Sequence, residues 1–343
     1  MTRPLVVAAD IASPAANAVD ARPRPADGWL AHLPVSLFAS VMGIGGLSLA
    51  WRRAAATQLA PEWIGQALFW FALAVFVALV ALYAAKWAVR PAAALNEARH
   101  PIKMPFLSTI TIAVLVLATS GSELMLVAAQ AMWWIGAIGQ LALTIGIVSA
   151  WFSRPEIVPT MVTPAWFIPV VGNIVTPLAA RAVGSLEFAW LAFGVGITFW
   201  VGLLPLVLQR LLLAETPLPL KLTPTLAIAI APPAVALLSW QSLTGEGDAP
   251  ATRVLFGAML ALLALLLAQV RLLRNVPFGM PYWAYTFPLA AAAAASVAVA
   301  AARPYSAYTA LAWALLVLSS TVVAAVGALT LRAAVRREIC VPE

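Results

Sequence analysis

Few side chains in this sequence have the type and spacing that chemistry demands. His32 and His100 are the only histidines, and no cluster of carboxylates or thiols accompanies either, so neither is expected to hold a metal. The one cysteine, Cys340, has no partner for an internal disulfide. Met42-Gly-Ile-Gly-Gly46 is glycine-rich, but no strand–helix unit surrounds it. It reads as close helix packing, not a phosphate loop. No cofactor, metal or enzymatic activity is expected from these residues. The stretch GMPYWAYTFPLAAAAAASVAVAA, residues 279–301, is different in kind. It is aromatic and proline-bearing in its first half and nearly bare in its second. Pro288 should free the carbonyl of Ala284 and bend a helix there, placing Phe287 at mid-segment with Ala291, Ala294 and Ala295 beyond it. An aromatic ring in a narrow passage expels water, and a dry constriction blocks ions. Phenyl edges are slightly positive, so such a ring tolerates an anion better than a cation. A packed core phenylalanine is the alternative reading of the same spacing.

A passage needs walls, and the composition supplies them. The chain is 63% hydrophobic and 10% charged, against about 45–50% and 25% in soluble domains. No water-soluble fold hides that much apolar surface, so the surrounding solvent is a lipid bilayer. The net charge of +7 does not point to nucleic acid, which requires a folded basic domain with exposed aromatics. The sequence predicts an all-α integral membrane protein with ten spans, near 33–51, 63–89, 104–121, 123–151, 164–182, 186–212, 224–243, 252–273, 281–302 and 305–331. Residues 1–28 read as a disordered cytoplasmic tail, 29–333 as the membrane domain and 334–343 as a cytoplasmic C-terminal tail. With the N-terminus inside, 15 of the 20 lysines and arginines fall on the inner side, the asymmetry expected of cytoplasmic loops.

Short connections after the odd spans group the helices into five hairpins. Proline stands near the start of each odd span, at Pro34, Pro105, Pro164, Pro224 and Pro281. Interior prolines follow at Pro169, Pro177, Pro232, Pro233 and Pro288, whereas the even spans hold only Pro205 in their interior. A bent helix survives in lipid only where neighbours or water satisfy its freed carbonyl. The odd spans are therefore expected inside, lining a central pore, and the even ones against lipid. Candidate pore-lining residues are Ser36, Ser40, Gly43, Thr111, Asn173, Thr176, Pro232, Ser239, Trp283 and Ala291, with Pro169, Pro177, Pro233 and Pro288 as kinks and Phe287 as gate. No span has a charge near its middle, where carriers and proton relays commonly place one. Basic residues gather at both ends. Arg52, Arg53, Arg181, Arg253 and Arg303 mark an outer mouth. Arg90, Arg99, Lys103, Arg154, Lys221, Arg271 and Arg274 mark an inner one. Mouths of one sign concentrate counter-ions, which makes the passenger an anion. Topology signals and lipid anchors are the competing explanation of these charges.

Four stretches carry a family likeness: LPVSLFASVMGIGGLSLAW (33–51), WWIGAIGQLALT (133–144), TPAWFIPVVGNIVTPLAA (163–180) and PYWAYTFPLA (281–290). APPAVALLSW (231–240) adds to them. In their order and spacing they resemble the tellurite-resistance/dicarboxylate transporter family, which includes bacterial TehA, fungal malate and sulfite transporters and plant guard-cell slow anion channels. The resemblance implies a homotrimer in a bacterial plasma membrane. It implies ten helices per protomer around a pseudo-fivefold axis, and a ninth-helix phenylalanine, here Phe287, closing each pore. Where bacterial openings of this type often read Pro-Thr-Gly-Tyr-Phe-Gly, this chain has Pro34-Val-Ser-Leu-Phe-Ala39.

Two functions remain open at this point. A passive channel for small anions conducts without coupling. A secondary carrier for a dicarboxylate, sulfite or tellurite-related anion shows saturable, proton-dependent flux. A membrane enzyme or receptor would need a reactive cluster or a large soluble domain, and the sequence presents neither.

Overall fold

The computed structural model describes residues 28–155 and 157–341, and its regular elements are helices. The tail expected over 1–28 thus lies outside the described residues except for Gly28. Ten spans follow one another as α1 (Val35–Ala56), α2 (Glu62–Val89), α3 (Met104–Ser120), α4 (Leu126–Ser153), α5 (Pro164–Val183), α6 (Leu186–Leu213), α7 (Leu220–Thr244), α8 (Pro250–Ala268), α9 (Met280–Ala302) and α10 (Ser306–Val335). Nine of these are long and apolar enough to cross a bilayer alone. The exception, α3, is bent by 112° from the short helix Pro91–Arg99 that precedes it. Its four 3-10 residues and 13 α-helical ones give a length of about 27 Å, close to the hydrocarbon thickness. The eighth span is shorter than the sequence suggests. It ends at Ala268, and Gln269 breaks it from the short turn Val270–Leu273.

Burial separates the spans into two sets. In α1, α5, α7 and α9 the central windows are 72, 78, 83 and 72% buried; in α2, α4, α6, α8 and α10 they are 17, 33, 28, 28 and 28%. In α3, Ile112 to Ala118 are all buried. The five odd spans pack side by side in the closed order α1–α3–α5–α7–α9–α1. Each even span packs on its hairpin partner and also touches the next odd span, α10 closing onto α1. The result is an inner ring of five within an outer ring of five. Bent helices lie inside because their unpaired carbonyls cannot face acyl chains.

All five inner spans open with a 3-10 segment: Val35–Leu37, Met104–Leu107, Pro164–Trp166, Leu220–Ile230 and Met280–Tyr285. These segments touch one another in the same ring order, so the five spans run parallel from one face, here called the near face. A 3-10 helix rarely exceeds four residues, yet α7 opens with 11 residues of it and α5 contains eight more at Gly172–Ala179, around Pro177. The outer spans are continuous α-helix even where α6 contains Pro205. Proline alone is thus not sufficient to impose 3-10 geometry.

Glycines let α1 sit between its neighbours. A methyl group at Gly43 would fall 2.1 Å from Thr286 Oγ1 of α9, and one at Gly45 would fall 2.8 Å from Val116 Cγ1 of α3. Backbone approach of this kind replaces the hydrophobic effect as the source of cohesion in lipid.

Candidate functional site

Two cavities of about 40 and 50 Å³ lie within the inner ring. Each is large enough for water or a small ion. The near-face cavity is lined by Ser36, Ala39, Phe106, Thr109, Met280, Trp283, Ala284 and Pro288, among others. The deeper one is lined by Ile112, Phe167, Val171, Gly172, Val175, Pro232 and Val235. Met42, Ile228, Ala231 and Phe287 line both. The Phe287 side chain therefore stands between the two spaces, one residue into the α-helical part of α9, which starts at Thr286. Its ring lies over α1: a methyl group on Gly46 would be 3.0 Å from Phe287 Cδ2. None of the residues lining either cavity is an Asp, Glu, Lys, Arg or His. Ser36 and Ala39, which stand where similar openings have glycine, both face the near cavity.

Of the residues singled out as pore-lining, Ser36, Pro232 and Trp283 border these cavities, as does the kink residue Pro288. The others lie outside these cavity linings. Ser40 donates to Leu37 O of its own helix, and Gly43 meets Thr286. Thr111 donates to Gln140 Oε1 at 2.6 Å, and Gln140 Nε2 and Thr144 Oγ1 both donate to Pro169 O, at 2.7 and 2.6 Å. Asn173 Nδ2 donates to Thr144 Oγ1 at 2.7 Å. Trp133 Nε1 reaches Thr176 O, Ser239 reaches Ile174 O, and Ser242 reaches Pro177 O. Pro233 and Ala291 are buried outside the cavity linings. Side chains of α4 and α7 thus bond carbonyls of α5 at Pro169 and along its 3-10 stretch Gly172–Ala179, where the α-helical ladder is interrupted. A hydroxyl that does this and one that faces a pore look the same in a sequence, which is why the list mixes them.

The mouth arginines are also largely engaged. Arg52 pairs with Glu123. Arg303 pairs with Asp248, which also takes Arg253 at 2.8 Å. Arg181 donates to the Ser242 and Leu243 carbonyls at 2.5 and 2.7 Å and so caps the end of α7. At the near face, Arg99 and Arg274 are exposed and Lys103 is half-buried. The Arg154 guanidinium donates to the Arg99 carbonyl.

A buried ionic cluster at the near face involves none of the residues singled out from the sequence. Lys86 of α2 is 2% exposed and lies 2.6 Å from Glu97 Oε2 of the helix Pro91–Arg99. Lys86 Nζ also donates to Leu33 O at 2.7 Å, and Tyr83 OH donates to Glu97 Oε2 at 3.2 Å. Glu97 Oε1 accepts the Val35 backbone N–H at 2.8 Å, so its carboxylate caps the start of α1 beside Ser36. Leu33, Val35, Phe38 and Tyr83 pack around the cluster, with Ile339 and Cys340 from the C-terminal segment against them. The one available signal is a Lys–Glu pair flanking Pro91, which says nothing about the helix folding back.

Comparison with known proteins places this geometry. The chain is 26% identical over 280 residues to the S-type anion channel SLAH3 of Arabidopsis thaliana, covering 78% of this chain but only 43% of the plant protein. It is 26% identical to the uncharacterized transporter MJ0762 of Methanocaldococcus jannaschii, over 76% of this chain and 83% of the relative. It is 26% identical to the tellurite resistance protein TehA homolog of Haemophilus influenzae, over 78% of this chain and 81% of that one. Residues 32–331, which include both rings of helices, match the family described as voltage-dependent anion channel, SLAC1, and the chain belongs to that family.

Proposed function

We propose that this protein conducts small anions passively along the axis of the odd spans, with Phe287 closing the path at rest. The observation that carries the reading is the position of Phe287 between two uncharged cavities inside a ring of bent helices. Uncharged walls bind an ion weakly enough to release it, and a dry aromatic constriction holds the path shut. The lack of a titratable side chain on either cavity favours a channel over a proton-coupled carrier, which needs a group that changes charge along its route. In this reading both termini are cytoplasmic, the near face is the cytoplasmic one, and the membrane is a bacterial plasma membrane. The homotrimer implied by the resemblance would carry one conduit per copy, because the five inner spans of a single copy already close a ring.

The test is a planar-bilayer recording of the purified protein in gradients of chloride, nitrate, sulfite and malate. A channel gives a zero-current potential that follows the permeant anion and ignores a pH gradient. Saturable flux that collapses with the pH gradient would establish the carrier in its place.

Gly46 offers a finer check on the gate. A Gly46→Ala methyl lies 3.0 Å from Phe287 Cδ2 and 3.4 Å from Ala290 Cβ. The ring must yield a few tenths of an ångström, and the direction away from α1 is across the conduit. Overpacking of this kind costs about 1–3 kcal/mol. Gly46→Ala should lower the basal anion flux several-fold and have no effect when Phe287 is already alanine. An equal loss in both backgrounds would show that residue 46 acts by another route.

A further inference from the structure

Four of the five basic residues expected around the far mouth are committed to partners: Arg52 to Glu123, Arg253 and Arg303 to Asp248, and Arg181 to two carbonyls. Arg53 is the exception. Among the described residues its guanidinium has no carboxylate, carbonyl or ring partner.

Its placement follows from the helix. Phe38–Ala56 is unbroken α-helix. Ala39 and Met42 line the cavities, and Gly46 lies under the Phe287 ring. At 100° per residue, positions 39, 42, 46, 49 and 53 fall within an arc of about 80°. Arg53 therefore continues the face of α1 that forms the conduit wall, and sits about 10 Å beyond Gly46 toward the far face. Arg52, one position earlier, points away to Gly65 of α2, whose added methyl would strike Arg52 Cγ at 2.5 Å. Arg52, Arg253 and Arg303 are held on the carboxylates of Glu123 and Asp248 and Arg181 on backbone carbonyls, so the unpartnered guanidinium on the conduit side of the far mouth is that of Arg53.

We propose that Arg53 is the anion-recruiting residue of the far vestibule, holding a small anion before it reaches the Phe287 constriction. The inference rests on the conduction path proposed above and adds a binding site to it. An unpaired guanidinium on a half-buried wall presents several N–H donors to an anion. Charge at the mouth raises the local anion concentration and is screened by salt. For two unit charges about 6 Å apart in water the expected enrichment is roughly threefold.

The experiment uses the full chain in planar bilayers with chloride as the probe, in the Phe287→Ala background. Adding Arg53→Gln should cut the current carried by chloride arriving from the far face by about threefold at low ionic strength, and the difference should vanish at high salt. Arg53→Lys should retain the current, and Arg336→Gln, an equal loss of charge beyond the end of α10, should leave it unchanged. A second arm does not depend on conduction. In a Cys340→Ser background, an Arg53→Cys thiol is exposed to a membrane-impermeant sulfonated thiosulfonate from both sides and modification is read by mass. Rapid modification is expected. Failure to label, or equal currents with and without Arg53 at low salt, overturns the proposal. If Phe287→Ala passes no chloride, the gate reading fails, and labelling alone decides whether position 53 faces a water-filled vestibule.

Discussion

Phe287→Ala is expected to raise the anion current through the reconstituted protein at least about tenfold, equivalent to removing roughly 1.4 kcal/mol of barrier. The ring separates two spaces that otherwise share Met42, Ile228 and Ala231 as a common wall. Cutting it back to a methyl group joins them and leaves only alanines in the next turns of α9, where Ala291, Ala294 and Ala295 follow. Truncating a packed core phenylalanine costs about 3–5 kcal/mol. Phe287 is half-buried and already borders voids, so few packing partners are lost and the cost should fall below that range. The two effects can be read separately: bilayer current for the gate, and retention of a single elution peak after heating in detergent for the fold. Phe287→Leu, which keeps bulk without a ring, should give an intermediate current. A well-folded Phe287→Ala protein whose current equals that of the wild type would remove Phe287 from the gate.

Much of the architecture is legible in the sequence because proline acts locally. Pro34, Pro105, Pro164, Pro224 and Pro281 each stand just before or within the first few residues of a span that the structure places in the inner ring, and a helix with missing donors has nowhere else to go in lipid. Phe287 is distinguishable for the same reason, since Pro288 stands where the 3-10 opening of α9 gives way to α-helix. The partners of polar side chains are not legible. Thr111, Asn173 and Ser239 look like pore residues and instead bond across helix interfaces, because which face they occupy depends on 3-10 stretches that shift the helical phase. The same phase problem hides Met42, Ile228 and Ala231, apolar residues with no distinguishing neighbours that line both cavities. Charge is harder still. Arg52 and Arg53 are adjacent, and one is neutralised by Glu123 while the other is not.

The second large effect lies away from the conduit. Glu97→Gln should destabilise the protein by about 3–5 kcal/mol, because it leaves the ammonium of Lys86 buried without its counter-charge. Lys86 is 2% exposed and its pair with Glu97 is 2.6 Å long, so water cannot take the place of the carboxylate. Lys86→Met should cost less. The Glu97 carboxylate then still accepts the Val35 N–H and the Tyr83 hydroxyl, and its negative charge remains favourable at the start of α1. The double substitution Lys86→Met with Glu97→Met removes both charges. It should be milder than the sum of the single changes, since replacing a buried pair by apolar side chains is often close to neutral. What it cannot restore is the cap on Val35, so a residual loss of about 1 kcal/mol is expected. The readout is unfolding in detergent, with the single Glu97→Met variant closing the double-mutant cycle and proteolysis of the 90–103 connection as a local probe. The ordering matters more than the absolute values: Glu97→Gln worst, Lys86→Met intermediate, the double variant better than additive. Strict additivity would mean that the two groups act independently, and the cluster would then be a pair of separate caps and not a latch joining α2, the helix Pro91–Arg99 and the start of α1.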